Sequence, residues 1–408
     1  MSRGYGDKRL TDERRTPNAE RRTLTVSRTT VRFLRDGHPW VRPDRFTRGL
    51  ENLRAGEAVT LVDETGQVHA SALADPAAEI CARVFHRKPD ALFDPAAAVV
   101  RAWNRRAALH ADPDTDCYRI IHGEADFLPG LRVERYASVL VVLVLAECMK
   151  PHVDAVCSAL YALMPSATLV VRDHRDDLRC AAVADSRWGG GALDPEAVIE
   201  GRECACRYPL RPFSGLATGL YVDQRATRIW LKPQAAGRRV LNLFAYTGAF
   251  SINLLVAGAA SAVDVDLAAP ALARAAEAAV LNGVADRHRI VHQDCRQFLS
   301  DSIDAFDCII CDPPTAAQGG AGWILRRDYP EVLRLAMRRL APGGLLLACC
   351  NTLGGKPYAL DAAVDDAAQN TGLHLDVVEA PLVGEDIPLL RGFPEGRPFR
   401  LVAARRNA

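Results

Sequence analysis

The sequence predicts an α/β protein whose C-terminal half is a doubly wound, mostly parallel sheet. A small β-rich module and an α+β module precede it. Three observations carry that reading. Residues 206–408 alternate short apolar runs with helical stretches, the order of a sheet wound with helices on both faces. Residues 240–266 compress strand, glycine turn, helix, strand and a closing acid into one short unit. Residues 28–100 instead show short strands parted by turn signals.

Composition bounds the rest. At 408 residues the chain has room for two or three domains, and 49% apolar with 25% charged residues is ordinary for a globular protein. The net charge of +1 argues neither for nor against a polyanionic partner. The longest uninterrupted apolar run, 139–146, is too short to span a bilayer, and no apolar signal core opens the chain. A cytoplasmic protein with no membrane partner is expected. Twelve cysteines are scattered, and Cys308 and Cys311 alone have the four-residue metal spacing, inside an expected buried strand. They read as reduced core thiols, with no metal site. Oligomeric state is open between a monomer and a homodimer.

Taken in order, residues 1–27 hold seven Lys/Arg, four Asp/Glu and few large apolar side chains, and read as a disordered basic tail. In 28–100, residues 59–63 form a strand, Glu64, Thr65 and Gly66 a turn, and 67–73 the returning strand. Gly37, His38, Pro39 and Trp40 make a turn with an exposed aromatic. Arg28, Arg32, Arg35, Arg42, Arg45 and Arg48 crowd residues 28–50 against only Asp36 and Asp44. Such a one-sided basic edge suits phosphate contacts, with Arg32, Arg35, Trp40, Arg42 and Arg45 as candidates. A merely solvated arginine face is the competing reading. In 101–205, a helix over 95–110 leads into strands at 139–146 and 168–172 around a helix at 152–163, with Gly189, Gly190 and Gly191 as a loop. The order is α+β, and nothing in it dictates chemistry. In 206–408, strands at 240–244, 262–265, 288–292, 306–311 and 345–350 alternate with helices. Pro342, Gly343 and Gly344 turn the chain into the fifth strand.

The chemistry concentrates at strand ends. The 240–244 strand breaks at Tyr246, Thr247 and Gly248 into a helix from Ser251, and the next strand ends on Asp266. A ligand lies over such a turn, and the carboxylate grips ribose hydroxyls. Gly248 is the only glycine in the turn, so a pyrophosphate is disfavoured and a nucleoside without phosphates fits better. S-adenosylmethionine is the candidate. Asp294 follows the third strand, Asp312 the fourth, and Asp386 lies further along. The row assigns Asp266 to ribose, Asp294 to the adenine amino group and Asp312 to the neighbourhood of the methyl donor. A helix cap is the competing role for any one acid. Pro313 and Pro314 lock the backbone after Asp312 and remove two amide donors.

These motifs carry a resemblance. The 242–250 segment, Asp266, Asp312-Pro313-Pro314 and the run from Gly219 through Asp223, Gln224 and Arg225 resemble class I methyltransferases that modify bacterial 23S ribosomal RNA. Gly37-His38-Pro39-Trp40, Gly56, Val59, Asp63 and Gly66 resemble a PUA domain, and 122–130 resembles that family's middle domain. The resemblance covers roughly residues 30–400. It implies a disordered tail over 1–27, a PUA-like RNA-binding β-barrel over 28–100, an α+β middle domain over 101–205 and a Rossmann-like catalytic domain over 206–408. It also implies an S-adenosylmethionine site at Asn242, Phe244, Tyr246, Thr247, Gly248, Asp223 and Arg225. Arg225 can pair with the methionyl carboxylate.

The acceptor atom divides two groups. Carbon 5 of cytosine needs a cysteine thiolate added to carbon 6 first. The cytosine group it resembles carries that cysteine at the position of Asn351, one past Cys350 and two past Cys349. A sister group acting on guanine N7 shares Thr315 and the asparagine, and needs only positioning. Domain order favours cytosine carbon 5, with Cys350, Asp312 and Asn351 as candidate catalytic residues; guanine N7 and a decayed binding module are the alternatives. Ala217 and Ile387 depart from the pattern, which usually has Lys and His there.

Overall fold

In the computed structural model the described residues are 22–174, 183–184, 194, 196–213, 218–317, 322–351 and 357–407. Most of the basic tail, the triple-glycine loop and Ala217 lie outside them.

The N-terminal module contains β1 (Thr23–Thr25), α1 (Arg28–Arg35), β2 (Trp40–Val41), β3 (Ala58–Val62), β4 (Val68–Ala74) and β5 (Ala82–His86), with sheet order β1-β3-β4-β5-β2. Alternation places Leu24 and Val26 in a core with Val41, Val59, Leu61 and Val84. The module therefore starts ahead of residue 28, and the expected tail loses its last residues to β1. β1 and β2 do not pair with each other, so hydrogen bonds do not close this sheet into the expected barrel; Thr25 bridges to Arg48 instead. Ser27 caps α1 by accepting from the Thr30 amide at 3.3 Å.

The middle module follows as α2 (Pro95–Arg105), α3 (Ala107–Ala111), β6 (Cys117–His122), β7 (Leu131–Tyr136), β8 (Val139–Val144), α4 (Val153–Leu163), β9 (Thr168–Asp173) and β10 (Val183–Ala184). Its sheet runs β10-β9-β8-β7-β6. The helix expected over 95–110 is broken at Arg106, whose buried guanidinium makes a bidentate pair with Asp126 at 2.8 and 2.7 Å. A hairpin, β11 (Ile199–Glu203) and β12 (Cys206–Leu210), spans the expected division at 205. It packs Tyr208 and Leu210 into one core with Cys117 of the middle module and Ile252 of the catalytic one.

The catalytic module begins with α5 (Arg225–Leu231) and continues β13 (Arg239–Leu243), α6 (Ala249–Val256), β14 (Ser261–Asp266), α7 (Ala269–Leu281), β15 (His288–His292), α8 (Cys295–Asp301) and β16 (Phe306–Cys311). After the short strands β17 (Ala316–Ala317) and β18 (Trp323–Ile324) come α9 (Leu325–Arg339), β19 (Leu340–Cys350), α10 (Leu360–Thr371), β20 (Leu375–Val378) and β21 (Arg400–Arg406). The seven-stranded sheet is ordered β15-β14-β13-β16-β19-β21-β20, and β21 runs antiparallel to both neighbours. The chain winds outward from β13 through β14 to β15, then returns to β16 beside β13. That reversal is the switch point, and in such sheets ligands bind outside the carboxyl ends of the strands that flank it, here β13 and β16. Residues 341–344 are an irregularity inside β19, where register to β16 slips between Phe306 and Cys308.

Candidate cofactor and base-binding site

The turn after β13 is built from backbone few sequences tolerate. Phe244 (φ 57°), Tyr246 (φ 52°) and Gly248 (φ 69°) all take left-handed conformations, and two of them are not glycine. Such strain persists only where surroundings hold it. The Tyr246 amide donates to Asp266 Oδ2 at 2.8 Å, and Thr247 Oγ1 donates to the Gly219 carbonyl at 2.6 Å. Phe244 leans on Trp323 at 4.8 Å and Tyr246 on Tyr221 at 5.3 Å. A Cβ on Gly248 would lie 2.3 Å from Asp264 Oδ2.

Asp264 was not singled out from sequence, yet it ties the sheet to this turn. Fully buried on β14, it accepts from Asn242 Nδ2 at 2.9 Å and from Ser251 Oγ, and meets His288 Nε2 at 2.8 Å. Asn242 is therefore a buried strut, and Thr247 a second one; neither side chain faces a ligand as expected. The signal for Asp264 was available: an acid inside an apolar strand must be paired.

Asp266 ends β14 where expected. Its oxygens accept from the amides of Tyr246 and Ala268, both at 2.8 Å. Each keeps a lone pair for a hydroxyl. Burial pushes its carboxyl above the usual range. Asp294 caps α8 through the amides of Arg296 and Gln297 and pairs with the Arg296 side chain at 3.0 Å. The competing role of helix cap holds for this residue.

Asp312 follows β16 and is half-buried. Gln224 Nε2 donates to it at 3.2 Å, and no described cation pairs with it. Burial, with Asp223 close by, pushes its carboxyl up to about 7. Asp223 sits 3.9 Å from Arg119. Beyond the two prolines, Thr315 Oγ1 donates to the Asn351 carbonyl, joining the turn to the end of β19. The Pro314 carbonyl accepts from Trp323 Nε1 at 2.6 Å.

Arg225, expected to meet a ligand carboxylate, is already paired with a carboxylate of the chain. Its guanidinium is buried and bonds Asp386 Oδ1 at 2.6 Å. Asp386 is fully buried in the chain between β20 and β21, and also accepts from the Arg119 amide at 3.1 Å. It is an anchor between modules and stands apart from the strand-end row.

The cysteines at the end of β19 fall on opposite faces. β19 pairs regularly through Cys350 with Arg400, without a bulge. Cys349 packs with Ile310 and Leu347, while Cys350 packs under α9 and α10 with Tyr358 and Leu360. Both are fully buried; burial holds the Cys349 thiol well above its usual value and pushes Cys350 up to about 11. The bulge that would turn Cys350 toward a base is absent, and the strand ends only after it. Asn351 is exposed there.

On the N-terminal module, Trp40 is not the exposed aromatic expected. Its indole donates to Glu124 at 2.7 Å and meets Phe393 edge to face at 4.8 Å. The exposed rings are Phe33 (47%) and Phe46 (42%), each under an arginine, Arg32 at 5.8 Å and Arg45 at 4.7 Å. Arg28, Arg32 and Arg35 share the outer face of α1, and Arg42 pairs with Glu79. Among the described residues, no group of three His, Cys, Asp or Glu could hold a metal, and no helix is long and apolar enough to cross a membrane.

A family model for S-adenosylmethionine-dependent methyltransferases matches residues 119–387, and one for PUA-like domains matches 24–87. The chain belongs to the S-adenosylmethionine-dependent methyltransferases. Among curated relatives, a Ribosomal RNA large subunit methyltransferase of Deinococcus radiodurans is 32% identical, covering 87% of this chain and 90% of its own. A Ribosomal RNA large subunit methyltransferase I of Tolumonas auensis is 30% identical, over 88% and 93%. A crystal structure of a methyltransferase complexed with S-adenosylhomocysteine superposes with a TM-score of 0.80 at 19% identity, over 94% of this chain and 100% of that one, which speaks to fold. The methyltransferase site fits its cofactor on chemistry as well. Asp312 offers a carboxylate that no described cation pairs with, which suits a nucleoside carrying a sulfonium cation.

Proposed function

We propose that this methyltransferase transfers a methyl group to a base of large-subunit ribosomal RNA. The observation that carries the reading is the Asp312–Thr315 turn at the switch point, tied by Thr315 to Asn351, in a chain that aligns with rRNA methyltransferases over nearly its full length. Asp266 would hold the ribose. The left-handed turn at Phe244, Tyr246 and Gly248 would bring main-chain groups and two rings against the cofactor. S-adenosylmethionine supplies an electrophilic methyl on a sulfonium. Asp312 would balance that cation, and the Asp312–Asn351 edge would position the base. The arginines of α1, with Phe33 and Phe46, add sequence-independent RNA affinity. Nucleoside mass spectrometry of ribosomal RNA from a strain lacking the protein tests this: one modified base should vanish, and an unchanged profile rejects it.

Direct transfer to a ring nitrogen lone pair, as at guanine N7, is favoured over cytosine carbon 5. Carbon 5 requires a thiolate, and the thiols at this strand end are buried and held protonated. Cytosine carbon 5 stays as the second reading because Cys350 is the last strand residue, one step from the exposed Asn351. Cys350→Ala should keep most activity and Asn351→Ala should lose it. A covalent adduct with 5-fluorocytosine RNA that disappears in Cys350→Ala reverses the choice.

A further inference from the structure

The sequence of the middle module dictates no chemistry, but its sheet turns three basic side chains, with Leu143 among them, toward the catalytic module. His122 of β6 lies opposite Arg132 of β7, Arg132 opposite Leu143 of β8, and Leu143 opposite Arg172 of β9. Alternation places them on the face where Tyr136, Val141, Leu143 and Val170 join the catalytic core. The row spans three strand spacings, about 14 Å. His174 lies two residues past Arg172, buried, its Nε2 without a partner.

Most of the row is engaged. Arg172 donates to the Pro212 carbonyl, and His122 sits between Arg119 and the Gly396 carbonyl. Arg132 is different: it is half-buried, and its guanidinium makes no hydrogen bond or ion pair with the described residues. The acids around it are Glu134, Asp223 and Glu124. Glu134 is taken by Arg119 at 2.6 Å and by Tyr136 at 2.8 Å, and Glu124 by Arg83 at 2.9 Å and by Trp40. Asp223 already lies 3.9 Å from Arg119. Repulsion from Arg119, with burial behind it, pulls the Arg132 guanidinium down to about 10. A guanidinium shielded from water and left unmatched is costly unless an anion meets it. The place is next to the chemistry, since Asp223 is a charge neighbour of Arg132 on one side and of Asp312 on the other.

We propose that Arg132 is a substrate-positioning residue that takes an RNA phosphate beside the target base. The inference rests on the rRNA reading above. A guanidinium matches a phosphate with two parallel N–H donors. The competing anion is the methionyl carboxylate, left without Arg225. Arg132, however, stands on β7 of the middle module, outside the β13–β14 turn and the Asp266 strand end assigned to the cofactor above, so the RNA phosphate is the anion assigned to it.

Arg132→Gln and Arg132→Lys test it, with thermal unfolding as the folding control. Arg132→Gln should weaken rRNA binding roughly tenfold and lower the salt slope of log K by about 1, with S-adenosylmethionine affinity unchanged. Arg132→Lys should recover part of the loss. An RNA affinity and salt slope that match wild type, in a wild type that methylates rRNA, overturn the assignment and leave the rRNA reading standing. Loss of S-adenosylmethionine affinity instead of RNA affinity assigns Arg132 to the methionyl carboxylate and also overturns it. A wild type that neither binds nor methylates rRNA removes the parent reading and this one with it.

Discussion

Asp312 shows how one residue's surroundings set a measurable property. Burial and the nearby Asp223 raise its carboxyl to about 7, from an ordinary value near 4 when unfolded. The folded protein therefore holds this proton more tightly, and that contribution to stability is lost as pH rises from about 4 through 7. A sulfonium beside Asp312 prefers the ionised carboxylate, so S-adenosylmethionine affinity should increase between pH 6 and 8. The slope is up to about tenfold per pH unit below the carboxyl's own value. S-adenosylhomocysteine lacks only the transferred methyl and the positive charge it confers, so calorimetry with both ligands reports on the charge. Asp312→Asn should flatten the difference; identical pH profiles for the two ligands would remove Asp312 from the methyl donor. Asp266 makes a second residue-scale test. Asp266→Ala should cost about 1.5–3 kcal/mol of cofactor binding, the range for hydrogen bonds to a charged group, and unchanged affinity rejects the ribose assignment. The positions of Asp266, Asp294 and Asp312 were legible because a strand end is a local pattern. The partners of Arg225 and Asn242 were not, since Asp386 and Asp264 reach them only through the folded chain.

The turn and strand around these residues act as elements. The expected strands, their order and their alternation were legible from apolar periodicity, including the opposite facing of Cys349 and Cys350. The left-handed Phe244 and Tyr246 were not, because nothing in their side chains announces a positive φ. Gly248 is where sequence and geometry meet. An alanine there would carry a left-handed backbone, costing about 1–2 kcal/mol. It would also press on Asp264, which Asn242, Ser251 and His288 hold in place. Gly248→Ala should destabilise the catalytic module by more than about 2 kcal/mol in all and abolish cofactor binding. Thermal unfolding and calorimetry read both, and a variant that binds S-adenosylmethionine normally would show that this turn does not touch the ligand.

At the scale of the molecule, the three modules interlock more than a string of domains would. Arg106 of the middle module pairs with Asp126 and donates to the Asp386 carbonyl at 2.6 Å, while Asp386 holds Arg225. Leu73 and Phe85 of the N-terminal module share a core with Tyr118 and Met149. Trp40 reaches Glu124 and Phe393, and a Cβ on Gly37 would collide with the Arg391 carbonyl at 2.2 Å. The sequence could not show this, because a tryptophan in a polar turn looks exposed until its distant partner is placed. A chain cut near residue 100 should therefore expose an apolar face and aggregate, which makes truncation a poor probe of RNA binding. The triple variant Arg28→Ala, Arg32→Ala, Arg35→Ala is the better one, since all three are exposed on the outer face of α1. It should unfold at the wild-type temperature and bind S-adenosylmethionine normally. Its RNA affinity should fall, and the salt slope of log K should drop by about 2, as three lost contacts to a single strand require. Binding titrations across salt concentrations measure this directly. An unchanged slope would make the α1 arginines a solvated face and leave RNA recognition to Arg132 and the catalytic module.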